Sequence, residues 1–191
     1  MTRTYDMTNR AKQAAATTER IVAAAERLLA ARAVDEVTLQ AIADGAGVTV
    51  QTVLRHMGSR DGCFEAVARR VAARVEDQRG GVQPGDVEAA VGALLEHYEA
   101  DGRLILNLLS QEAGGDPFAL RTTEEGRSYH RAWVERSFAP ALARADRETI
   151  DALVAATDLY VWKLLRLDLG RSAAEVRSVL VRLVRAALEA T

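Results

Sequence analysis

Residues 38–57 constrain the fold of this chain more than any other stretch. Thr38 precedes Leu39, Ile42, Ala43 and Ala46, apolar positions spaced for one face of a short helix. Gly47 follows at once, the residue type that ends helices in the left-handed conformation. Thr49 then starts a second short run with Val53 and Met57 on one side. The pattern predicts two short capped helices, 39–46 and 50–57, joined by a tight turn, with the first bracing the second. Leu39, Ile42, Ala43, Val48, Val53 and Met57 form the inner side. A preceding helix over 18–31, capped by Thr18, carries Ile21, Ala24, Ala25, Leu28 and Leu29 on one face.

Helical periodicity continues beyond this segment. Ser59 caps a fourth helix over 60–79, with Phe64, Val67, Val71 and Val75 in its stripe. Gly80-Gly81 and Gln83-Pro84-Gly85 read as a linker. Asp86 starts a helix reaching Tyr98, and a separate one covers 103–112 before the break at Gly114–Pro117. A longer helix spans 118–143, with Glu125-Gly126 as a point of interruption and Pro140 as a kink or stop. Residues 148–169 read as one strongly apolar helix ended by Gly170. Ser172 and Glu175 form a capping box for the last, whose stripe is Val176, Val179, Leu180, Leu183, Val184 and Leu188. With three prolines, 5% aromatics and no pair of β-branched runs flanking a turn, the fold class is all-α, about nine helices.

At 49% hydrophobic and 27% charged residues the composition excludes disorder as the main state. No uninterrupted apolar run is long enough to span a bilayer. The start, MTRTYDMTNR, has no apolar core of signal-peptide type, and one cysteine forms no intrachain disulfide, so the cytoplasm is the expected location. The net charge of -2 conceals an asymmetry: 12 basic against 10 acidic residues in 1–79, and 13 against 17 in 80–191. Arg3, Arg10, Lys12 and Arg20 make the amino end basic, and residues 1–17 read as a flexible basic arm able to follow a groove.

The outward face of the second short helix holds Thr49, Gln51, Thr52, Arg55 and His56, residue types that read base edges and contact phosphates. The stretch TLQAIADGAGVTVQTVLRHMGSRDGCFEAV, residues 38–67, resembles the DNA-binding domain of TetR-family transcriptional regulators. The likeness is carried by Thr38, Ile42, Ala43, Ala46, Gly47, Val48, Thr52, His56 and Ser59, with Thr49 and Arg60 as conservative replacements. Four positions depart from the family pattern: Gln51 for glycine, Leu54 for tyrosine, Met57 for phenylalanine and Cys63 for leucine. Leu54 cannot donate the phosphate hydrogen bond of the family's tyrosine, whereas Gln51 can read a base edge. The expected DNA contacts are Thr38, Thr49, Gln51, Thr52, Arg55, His56 and Arg60. Gln51 and Arg55 would face base edges, adenine and guanine respectively, and His56 and Arg60 the backbone.

The resemblance implies an arm (1–17), a DNA-binding domain (18–60) and an effector-binding and dimerisation domain (61–191), connected through helix 60–79. It further implies a homodimer closed by the last two helices, acting as a repressor on a double-stranded operator and released by a small molecule, with no cofactor. Independently, helix 148–169 is apolar on more than one side, which suits a monomer core plus a symmetric partner. Residues giving an apolar wall polar handles are Tyr98, Asn107, Gln111, Tyr129, Trp133, Thr157, Asp158 and Trp162. His97 and His130 lack metal-ligand spacing and read as solvent-exposed, and Cys63 reads as a packed residue. No nucleophile–base spacing, phosphate loop or metal quartet indicates an enzyme. A helical enzyme, or an interaction module without DNA binding, is the alternative reading.

Overall fold

The computed structural model describes residues 2–143 and 146–189, with backbone alone for residues 2–8. Among the described residues every regular element is helical. The chain forms two compact units, Met1–Val71 with Asn107–Leu120, and Ala72–Leu106 with Arg121–Thr191.

In the first unit, α1 runs from Thr2 to Leu29. The sequence reading starts this helix at Thr18 and sets 1–17 apart as an arm, yet the helix is continuous through that point. No glycine or proline interrupts residues 2–29, and Ala11–Ala16 is rich in strong helix formers. Thr18, expected as a cap, lies mid-helix and hydrogen-bonds His56 instead. Arg3 falls outside the described side chains.

Short helices α2 (Leu39–Ala46) and α3 (Val50–Met57) match the predicted bounds because their end signals are local. Thr38 Oγ1 accepts from Ala41 N at 3.1 Å, and Thr49 Oγ1 from Thr52 N at 3.2 Å. Gly47 closes α2 at φ 64°, ψ 42°, where a Cβ would be strained. The α2 helix packs on α1 and α3 through Ile42, Ala43, Ala46 and Val53, all buried. Helix α4 (Arg60–Arg79) follows, with Ser59 Oγ accepting from Gly62 N. Cys63 is buried and its thiol donates to Ser59 O; burial pushes its pKa up to about 11, so it packs as a small apolar group.

Helix α5 runs unbroken from Val87 to Ser110, where two helices are expected. Gly102 sits inside it for a tertiary reason: a Cβ there would lie 2.6 Å from the Trp162 ring. The missing side chain is the space that lets the indole approach the α5 backbone. Helix α6 (Pro117–Ser137) passes through Gly126 without interruption, and the break falls at Phe138, before the short α7 (Ala139–Leu142) that holds Pro140.

The single helix predicted over 148–169 is divided. Helix α8 (Arg147–Ala156) ends at Thr157, and Asp158 caps α9 (Leu159–Lys163) by accepting from Tyr160 N at 2.8 Å. The chain then widens into a π-helical turn, Leu164–Asp168. The last helix, α10 (Ala173–Glu189), starts with the predicted box: Ser172 N donates to Glu175 Oε2 at 2.8 Å. It buries Val176, Leu180, Val181 and Val184 and packs on α8, whereas Leu183, placed in the inward stripe by periodicity, is exposed.

Candidate functional site

Two groups of polar residues stand out, one in each unit. The first is the outer face of α3. Gln51 and Arg55 lie one helical turn apart, so they share a face, and both are exposed. Neither has a side-chain partner among the described residues. Leu54 is 40% exposed beside them. Thr49 and Thr52 occupy the amino-terminal turn with their hydroxyls 3.0 Å apart.

His56 is half-buried, with Nδ1 3.0 Å from Thr18 Oγ1, which anchors the carboxyl end of α3 to α1. Arg60 reaches Asp61 at 3.5 Å and lies over the Phe64 ring at 5.2 Å. Thr38 is exposed but occupied as the α2 cap. The face thus combines unpartnered side chains on α3 with polar groups already fixed at its two ends.

The eight residues singled out in the carboxyl-terminal part separate. Asn107 and Gln111 belong to the first unit, where their amides act on the backbone after α1. Asn107 Nδ2 donates to Leu29 O and Arg32 O, both at 2.7 Å, and Gln111 Oε1 accepts from Val34 N at 2.6 Å. These bonds satisfy backbone groups left open where α1 ends.

Tyr98, Trp133 and Thr157 meet in the second unit. Tyr98 OH donates to Thr157 O at 2.9 Å, and Trp133 Nε1 donates to Arg79 O at 3.2 Å. Tyr129 OH donates to Glu76 at 3.0 Å. Trp162 Nε1 donates to Glu99 Oε1 at 3.0 Å, with its ring 6.0 Å from that of Tyr98. Asp158 serves as the α9 cap.

The centre of this group comprises residues that sequence reasoning did not select. Arg79 is 3% exposed; its guanidinium lies 4.0 Å from the Trp133 ring and 5.4 Å from that of Tyr129. Arg79 Nη2 donates to His130 Nδ1 at 2.9 Å, which places the imidazole proton on Nε2, 3.1 Å from Thr157 Oγ1. Thr157 in turn donates to Leu153 O at 2.7 Å. A polar chain therefore links the end of α4 to α6 and to the break after α8.

The prediction of exposed histidines is overturned. His97 is buried with Nδ1 3.4 Å from Asp101, and His130 is half-buried between Arg79 and Thr157. The available signal was Trp133 on α6, four residues after Tyr129 and three after His130, which puts each of them beside it on the helix surface.

Burying a guanidinium costs several kcal/mol before compensation. The α4 carboxyl terminus offsets up to about 2 kcal/mol and each ring face about 0.5–2 kcal/mol. Neither supplies an acceptor for Arg79 Nε, which is buried without a hydrogen bond.

Burial, then the Arg79 charge, pushes His130 down to about 3. Burial also lowers His97, against the opposing effect of the hydrogen bond it donates to Asp101. Asp101 is held below the usual carboxylate range by hydrogen bonds from His97 and Arg74, which outweigh its burial. Both histidines are neutral when folded, whereas an unfolded histidine takes up a proton near pH 6.5. Their contribution is complete above that pH and is lost as pH falls from about 6.5 toward the folded values, His130 supplying about 1.4 kcal/mol per pH unit. Urea unfolding should show about 2 kcal/mol lost from His130 alone between pH 6.5 and 5. Asp101 contributes to acid loss only at lower pH. In His130→Gln that share of the slope should vanish; an unchanged slope would place the effect elsewhere.

Among the described residues no helix is long and apolar enough to cross a membrane, and no three His, Cys, Asp or Glu side chains are grouped to hold a metal.

Residues 21–67, from α1 into α4, match the family model described as bacterial regulatory proteins, tetR family. A comparison with curated proteins finds no match. Among solved structures, a transcriptional regulator from Rhodococcus sp. Rha1 superposes with TM-score 0.69 at 17% identity, over 91% of this chain and 96% of that one. A TetR-family transcriptional regulator from Streptomyces coelicolor gives TM-score 0.67 at 20% identity, over 92% and 96%. The multidrug binding protein EbrR, complexed with imidazole, gives 0.55 at 21%, over 86% and 88%. The tetR-family match thus covers residues 21–67, and the fold of nearly the whole chain is similar to those of solved transcriptional regulators.

Proposed function

We propose that the chain is a ligand-responsive transcriptional repressor that binds a pseudo-palindromic operator as a homodimer. The carrying observation is the outer face of α3, where Gln51 and Arg55 project one turn apart with no partner of their own. Glutamine pairs two-pronged with adenine and arginine with guanine in the major groove. Thr49, Thr52, His56 through Nε2, and Arg60 then hold the phosphates on either side, with Thr38 fixing α2 behind them. A two-fold dimer would set two such helices about 34–36 Å apart, one turn of DNA.

Three exposed apolar side chains support the dimer: Tyr160 and Leu164 after the Thr157 break, and Leu183 on α10. They belong to the last part of the chain, and an isologous contact would cover them. The effector would be taken by the second unit, through Tyr98, Tyr129, Trp133, Thr157, Asp158 and Trp162. EbrR, a protein of similar fold, is described as multidrug-binding. Release requires that the effector bind the DNA-free form more tightly, since equal affinity shifts nothing.

The exposure of Leu54 on the same α3 face favours one second reading, a helical interaction module without DNA binding. Selection of bound duplexes from a random pool, followed by anisotropy titration at two salt concentrations, separates them. Enrichment of an inverted repeat with salt-dependent affinity is expected. A clean dimer that enriches no sequence and shows no salt-dependent affinity would favour the module.

A further inference from the structure

Other ions of the second unit are paired. Arg74 and His97 share Asp101, and Arg166 pairs with Glu99. Arg79 differs: it is the more deeply buried cation, and among the described residues no carboxylate pairs with it. One of its donors meets His130, while Nε has no partner.

The surrounding groups cannot complete it. Trp133 and Tyr129 address the faces of the guanidinium, and a ring face accepts nothing from the in-plane edge. His130 Nδ1 uses its lone pair on Nη2, and Glu76, whose Oε2 accepts from Tyr129, makes no ion pair with Arg79 among the described residues. The His97 Nδ1 atom, 3.4 Å from Asp101 Oδ2, lies close enough to feel the charge of Arg79. The half-buried side chains on this cluster are Tyr129 and His130, both on α6, so that is its accessible side.

We propose that Arg79 is the anchor for the carboxylate of a small aromatic acid, held against the rings of Tyr129, His130 and Trp133. One carboxylate oxygen would accept from Nε, the open donor, which neutralises the buried cation. Planar in-plane pairing is what a guanidinium offers and an ammonium does not. The aromatic body follows from the three rings around the charge. The inference rests on the reading that the second unit takes a small-molecule effector, and it assigns that effector a chemical class.

The test uses the full chain. Benzoate, salicylate, phenylacetate and indole-3-acetate are titrated against their uncharged amides at pH 7.5, by calorimetry and thermal shift. At least one acid should bind roughly tenfold or more tightly than its amide, and Arg79→Met should reduce the acid to the level of the amide. Arg79→Lys keeps the charge without the planar edge, and should lose roughly tenfold on the acid with the amide unchanged; it serves where Arg79→Met fails to fold. The inference is overturned if no acid outbinds its amide, or if either variant binds the acid like wild type. Adding the acid to the protein on its selected duplex separates the two readings. An Arg79-dependent acid that leaves DNA bound keeps the anchor and removes the effector role. Release by an uncharged compound, unaffected by Arg79→Lys and with no acid outbinding its amide, keeps effector control and removes the anchor.

Discussion

Trp133→Ala should lower stability by about 3–5 kcal/mol, the range for emptying a buried large aromatic site. The side chain is 1% exposed, with the Phe138 ring edge-on at 6.3 Å and His130 stacked at 6.1 Å. Its loss also removes the face beneath the Arg79 guanidinium and the donor to Arg79 O, so the buried cation loses compensation on one side. For a chain of this size the midpoint should fall by roughly 6–20 °C. Trp133→Phe keeps much of the volume and a ring face but not the Nε1 donor, and should lose less than half as much. A thermal-melt difference below about 3 °C for the alanine variant would show that this cluster does not carry the second unit.

Arg55→Ala should weaken binding to the selected duplex by about 5–150-fold, the equivalent of one good two-pronged base contact. Stability should be unchanged, because the side chain is exposed and unpartnered. The pattern of loss also reports the role. A base-reading Arg55 makes the variant indifferent to the base it faced, with the salt slope preserved. A phosphate contact instead lowers affinity on every sequence alike and reduces the slope by about one. Gln51→Ala tests the neighbouring base position in the same assay.

The parts of the fold written in local chemistry were legible. Thr38, Gly47, Thr49, Ser59 and the Ser172–Glu175 pair each fix a helix end through atoms within a few residues, and each was readable in sequence. Thr18 misled because a threonine before an apolar stripe looks like a cap, although nothing upstream stops a helix. The continuity of α5 through Gly102 was not legible either: the reason for that glycine lies sixty residues away in the Trp162 ring. The division of 148–169 was hidden by a continuous apolar run, and the Asp158 cap was its one local sign. In the second unit Tyr98, Trp133 and Thr157 were selected for their chemistry and do converge. Arg79 escaped because an arginine before Gly80-Gly81 resembles an ordinary helix-end cation, and burial is decided by distant residues. His97 and His130 escaped for the same reason.

Asn107 and Gln111 complete the backbone around the end of α1 from a point more than seventy residues further along the chain. The first unit is thus assembled from two separated stretches, with thirty-five residues of the other unit inserted between Val71 and Asn107. During synthesis, α1 to α3 emerge long before the segment that closes the end of α1, so the first unit is not complete until about residue 120 has left the ribosome. A fragment cut at the Gly80-Gly81 linker, the boundary that sequence composition suggests, would carry the whole tetR-family match and still lack part of its own folded unit.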